Sequence, residues 1–175
     1  AQSSEVAARF SDDPRARLHH AALLSQRGRF EEAWIEYCEA ERLTTDKVQA
    51  LNGLAQICRR TGRLSEARQR FGYIVSRYPT DVNAHIGLID TLRNLGEIKE
   101  ASMYARRTAE RFPGSPRAAA KHGETTSEAG RHPLARQILI DAIRRFPRDS
   151  RLVTALADAH RREGRYDRAL SIVES

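Results

Sequence analysis

The stretch 62-GRLSEARQRFGYIVSRYP-79 returns at 96-GEIKEASMYARRTAERFP-113 and again at 130-GRHPLARQILIDAIRRFP-147, each time 34 residues further on. Glycine opens every copy, alanine follows five residues later at Ala67, Ala101 and Ala135, and proline closes it at Pro79, Pro113 and Pro147. The same glycine spacing extends outward to Gly28 and Gly164, with Ala33 and Ala169 in the alanine slot. A glycine just past a helix takes the left-handed conformation that caps the last carbonyls. A small alanine lets two antiparallel helices approach closely. Proline ends the second helix, because it lacks an amide proton and constrains the residue before it. The chain therefore reads as one helical module copied along a line.

Read from Val48, the second copy places Leu51, Leu54, Ala55, Cys58, Gly62, Leu64, Ala67, Phe71, Ile74 and Pro79 in its slots. Period and slots together resemble the tetratricopeptide repeat. The resemblance implies an all-α, right-handed superhelical solenoid of antiparallel helix pairs. It divides the chain into full repeats at 14–47, 48–81, 82–115 and 116–149, a truncated fifth at 150–175, and the close of an earlier second helix at 1–13, marked by Val6, Ala7 and Phe10. Such copies bury their apolar faces only against neighbours, so they form a single extended domain over 1–175. Arg17, His20 and Thr45 depart from the pattern in the first copy, and His122, Thr126 and His132 do so in the fourth, which is expected to be the loosest. Because the pattern runs off both ends, we expect a fragment of a longer bacterial repeat protein. Its truncated last helix would leave Leu170, Ile172 and Val173 uncovered, which predicts end-to-end self-association.

Composition narrows the function. Charged residues make up 30% and apolar residues 40%, and no run approaches the roughly 20 apolar residues of a membrane span, so membrane insertion is not expected. Cys38 and Cys58 stand 20 residues apart with no zinc-type partner near them, and they read as reduced packing residues. Five of the six histidines, His20, His85, His122, His132 and His160, occupy packing slots. No phosphate-cradling glycine loop, nucleophile elbow or carboxylate pair is present. The chain is thus expected to be no enzyme and to hold no cofactor and no metal.

What remains is surface, and the resemblance assigns positions two, five, six, nine, twelve and thirteen of each first helix to a concave groove. The second copy then presents Gln49, Asn52, Gln56, Arg59 and Arg60, and the third presents Asn83, Asp90, Arg93 and Asn94. The fourth presents Arg117, Lys121, Glu124 and Glu128, and the fifth presents Arg151, Asp158, Arg161 and Arg162. Such a polar trough suits the backbone amides and carboxylates of an extended peptide or an acidic helix. The family's carboxylate clamp is matched only by Arg117 and Lys121, with Asn52, Gln56 and Gly87 replacing the other three residues. Position six reads His19, Gly53, Gly87, Lys121 and Ala155, so the backbone-gripping asparagine ladder known in the family is missing too.

The formal net charge is +7, with 27 arginines against three lysines. Guanidinium reads carboxylate and phosphate bidentately, so the expected partner is a protein or peptide of acidic character. Nucleic acid is disfavoured, because the few aromatic residues fall mostly on packing slots rather than on a stacking platform. The leading expectation is a non-catalytic interaction scaffold within a larger bacterial assembly, cytoplasmic or periplasmic. One alternative, resting on family analogy, is a periplasmic spacer or docking arm of an exopolysaccharide export or secretion protein. A second is binding of an acidic polymer, polysaccharide or nucleic acid, along the arginine-rich face.

Overall fold

The computed structural model describes residues 13–173, with side chains as far as Ala169. Ten helices follow one another among the described residues, and no strand occurs there. They are α1 (Pro14–Gln26), α2 (Phe30–Leu43), α3 (Val48–Arg60), α4 (Leu64–Arg77), α5 (Val82–Asn94), α6 (Ile98–Arg111), α7 (Pro116–Glu128), α8 (His132–Arg145), α9 (Ser150–Arg162) and α10 (Tyr166–Val173). The expected all-α class of repeated helix pairs is what the chain adopts.

The five spaced glycines punctuate these pairs as their chemistry requires. Gly28, Gly62, Gly96, Gly130 and Gly164 all sit at φ of 78 to 79°, and no other described residue has positive φ. In each turn the amide after the glycine bonds a carbonyl five residues back, as Arg63 does to Cys58 at 2.8 Å, while Gly62 itself donates to Arg59 at 3.3 Å. This pair of hydrogen bonds closes the first helix and turns the chain into the second. First helices start on side-chain caps where the sequence allows it. Asp13, Ser115 and Asp149 accept amide protons from Arg15, Ala118 and Arg151, and Pro14 and Pro116 follow the cap as first helical residues.

The chain divides after Gly87 into two compact units. In the first, Ala21, Leu24, Ala33, Tyr37, Ala40, Ala50, Leu54 and Ile57 form a core against which Leu18, Phe30 and Trp34 pack. Phe71 and Ile74 are fully buried as well. Tyr37 and Phe71 occupy the same slot in successive copies, and each lays its ring on a bare glycine of the next first helix. A Cβ at Gly53 would come within 2.3 Å of the Tyr37 ring, and one at Gly87 within 2.2 Å of the Phe71 ring. In the repeat register these two glycines stand out only as missing asparagines; their role is to admit an aromatic ring.

In the second unit, Ala120, Leu139, Ala142, Leu152, Ala155, Leu156 and Ala159 form the core. The fourth copy fills its slots with small hydroxyl residues whose polar atoms are satisfied. Thr125 donates to the Lys121 carbonyl at 2.7 Å, and Ser127 shares a hydrogen bond of 3.2 Å with Nδ1 of His132. Leu139 lies against Gly123 so tightly that a Cβ there would fall 2.4 Å from it.

Not every packing expectation holds. His20 has a side chain 58% exposed, within 3.6 Å of Glu36, and Cys38 faces solvent while Cys58 is buried. Both thiols are free. Leu170, Ile172 and Val173 belong to α10, but their side chains lie outside the described residues, as do Val6, Ala7 and Phe10.

Candidate functional site

The residues assigned to the groove sit on the first helices, and in the second unit one group of them is drawn together by charge. Arg93 on α5 forks onto Glu128 of α7 at 2.7 and 2.5 Å and reaches Asp90 at 3.1 Å and Glu124 at 3.3 Å. Lys121 bridges Glu124 at 2.8 Å and Asp90 at 3.1 Å. Arg162 of α9 completes the chain by donating to Glu128 at 3.0 Å. Asp90, Arg93, Lys121, Glu124, Glu128 and Arg162 therefore share one face built from three successive first helices, with three charges of each sign.

The network is partly sheltered. Side-chain exposure is 24% for Arg93 and 12% for Glu128, and the hydrogen bond to Glu128 holds the Arg93 guanidinium well above its ordinary pKa against the opposing cost of burial. Charge-assisted forks of this kind are shorter and stronger than neutral bonds. Arg93 and Lys121 are thus occupied within the chain. Two other predicted cations of this unit pair locally, Arg151 with Asp149 at 2.6 Å and Arg161 with Asp158 at 3.0 Å; Asn94 and Arg117 lie on the exposed surface.

The first unit holds the other group. Asn52 donates to the Val48 carbonyl at 3.0 Å and to Asp81 at 2.9 Å, so it fastens α3 to the loop after α4. Arg59 closes on Gln56 at 2.8 Å. Arg60 donates to the Ser25 carbonyl of α1 at 2.6 Å and lies 4.8 Å over the Phe30 ring. Gln49 and Asn83 are exposed. A separate feature, invisible in the repeat register, lies along the second helices: Arg63 and Arg70 both stack on Trp34, at 5.0 and 4.8 Å. One cleft of about 450 Å³ opens beside that ring, lined by Phe30, Trp34, Ile35, Ile57 and Arg63. Another of about 410 Å³ is lined by Leu51, Glu66, Arg70, Tyr73 and Ile74.

Catalytic or metal chemistry finds little to build on. Among the described residues, no group of three or more histidine, cysteine or carboxylate side chains is placed to hold a metal ion. Burial pushes the His122 imidazole down, as it does His160, and it pushes the Cys58 thiol up. Depressed imidazoles and a raised thiol describe packed groups rather than activated ones. No helix among the described residues is long and apolar enough to cross a membrane.

Comparison with known proteins agrees with the repeat reading. A tetratricopeptide repeat profile matches residues 53–116 and 121–175, and a second matches 14–33. No curated protein matches the chain significantly. Among solved structures, the thermophilic tetratricopeptide protein TTC0263 of Thermus thermophilus superposes with a TM-score of 0.78 at 19% identity, over 91% of this chain and 87% of that one. YrrB, described as a tetratricopeptide protein with an unusual peptide-binding site, gives 0.58 at 18% identity over 98% and 88%. PilF of Pseudomonas aeruginosa gives 0.73 at 15% identity over 92% and 73%. At such identities the likeness concerns the fold.

Proposed function

This chain belongs to the tetratricopeptide repeat family, and from that premise we propose that it is a non-catalytic scaffold whose first-helix faces bind a segment of a protein partner. The observation that carries the reading is the joining of α5, α7 and α9 by Arg93, Glu128 and Arg162, which sets the polar residues of three repeats on one surface. A face with three anions and three cations already matched offers little net attraction to a strongly acidic ligand. It offers amides and exposed guanidiniums to the backbone and to isolated carboxylates of an extended peptide. Asn94, Arg117 and Arg161 are the contact residues of the second unit on this reading, and Gln49, Arg60 and Asn83 are those of the first unit taken by itself. Arg93, Lys121, Glu124 and Asn52 hold the surface in shape. The peptide-binding site of YrrB, on the same fold, supports this class of ligand.

The test is capture of partners from the source organism with the full chain, beside a variant carrying Asn94→Ala and Arg161→Ala. Calorimetry then follows on the recovered partner's binding segment. The expected result is a saturable complex weakened about tenfold or more by the pair of substitutions, roughly the 1.4 kcal/mol of a lost charge-assisted contact. Unchanged affinity in the variant would remove the first-helix face of the second unit from the reading.

A further inference from the structure

Charge is not spread evenly over the repeats. The windows 38–49, 72–83, 106–117 and 140–151 occupy the same place in successive copies, running from the end of a second helix into the next first helix. The first two carry net charges of −1 and 0, whereas the last two together hold eight arginines against three carboxylates. A general preference for arginine codons would raise all four windows alike. The concentration after residue 105 is therefore local to the second unit.

All three carboxylates are engaged. Glu110 lies 3.9 Å from Arg106, Asp141 pairs with Arg144 at 3.0 Å, and Asp149 holds Arg151 at 2.6 Å while capping α9. Arg107, Arg111, Arg145 and Arg148 are exposed, and among the described residues no carboxylate lies within ion-pair distance of them. Arg145 donates to the Pro113 carbonyl at 2.7 Å, which ties the loop after α6 to the end of α8 and makes the two loops one edge. The guanidiniums of Arg111 and Arg145 lie 5.8 and 5.5 Å over the rings of Phe112 and Phe146, and Pro113, Gly114 and Pro147 are exposed.

We propose that this edge docks the second unit on an anionic lipid surface, with head-group phosphates taking Arg107, Arg111, Arg145 and Arg148. Guanidinium matches phosphate bidentately and sheds its hydration more readily than an ammonium group. The cations stand toward the C-terminal ends of α6 and α8 and on the loop after α8, and an extended layer of phosphates offers a partner to each of them. Single-stranded nucleic acid needs rings on which bases stack, and here Phe112 and Phe146 are half-buried beneath their own arginines. An acidic peptide is the competing ligand for an arginine cluster, and polyglutamate stands for it in the test below. Surface attachment of this kind requires no membrane-spanning helix.

Sedimentation of the full chain with vesicles tests this, using phosphatidylcholine alone and phosphatidylcholine with equimolar phosphatidylglycerol. The chain should partition onto the anionic vesicles only, and rising salt should release it as the charges are screened. Replacing each of the four arginines by glutamine should weaken partition about fivefold, the equivalent of about 1 kcal/mol per arginine near the surface. A control carrying Arg27→Gln and Arg77→Gln, also exposed but in the first unit, should bind as the parent does. Retained helical circular dichroism would show that the glutamine variants fold. Absence of binding to anionic vesicles would overturn the proposal. So would equal loss in the control, which would reduce the effect to net charge, or tighter binding to RNA or polyglutamate that the same four substitutions abolish.

Discussion

Removing the Arg93 guanidinium, as in Arg93→Met, measures what the network of the second unit is worth. A solvent-exposed ion pair contributes about 0–1 kcal/mol, whereas breaking a buried pair costs about 3–5 kcal/mol because a charge is left without a partner. With side-chain exposures of 24% for Arg93 and 12% for Glu128, the site lies between these limits but nearer the second. Arg93 also serves three carboxylates, and its loss leaves Lys121 and Arg162 to neutralise Asp90, Glu124 and Glu128. Half to two-thirds of the buried value, about 2–3 kcal/mol, is the expected cost. For a chain of this length that lowers the melting temperature by about 5–10 °C. Urea denaturation of Arg93→Met, Glu128→Gln and the double variant gives the coupling energy directly, and the double variant should recover at least about 1 kcal/mol of the summed loss. A cost below about 0.5 kcal/mol, or strict additivity, would refute the argument and return Arg93 to the class of solvated surface cations. Either way, an Arg93→Glu substitution is a poor probe of partner binding, since it sets a fourth carboxylate among three.

The glycines separate three physical roles. Gly87→Ala should destabilise by about 1–2 kcal/mol in thermal unfolding, because strain against the Phe71 ring exceeds the gain in helix propensity. Gly72→Ala, with nothing within 4 Å of the added methyl inside α4, should instead stabilise by about 0.5–1 kcal/mol; a loss there would contradict the open space. Gly96→Ala forces an alanine to φ of 79° and should cost about 1–2 kcal/mol although it touches nothing. His122 supplies a pH dependence. Burial sets its folded pKa below the ordinary imidazole value, so the unfolded chain binds the proton more readily. Stability is then full above the ordinary value and declines as pH falls through it toward the folded one. In His122→Gln, that part of the acid slope should disappear from denaturation midpoints taken between neutral and mildly acidic pH; an unchanged slope would assign it to other groups.

Much of this architecture is legible in the chain itself. A period of 34 residues, glycines that need positive φ and prolines that end the second helices are local requirements, each satisfied within a few residues along the backbone. Such information survives without knowledge of the tertiary structure, which is why the all-α class follows from residue identity and spacing. The polar character of the first-helix faces follows from register in the same way. The register does not say which charges meet. Glu128 takes Arg93 from 35 residues before it and Arg162 from 34 residues after it, and Arg145 finds a carbonyl 32 residues away. Only stacking of the repeats decides these partners, because each repeat's polar atoms are completed by a neighbour whose distance and angle depend on packing. The same holds for Gly53 and Gly87: as letters they are absent side chains, and only the rings of Tyr37 and Phe71 laid on them reveal that the missing Cβ is what the packing needs.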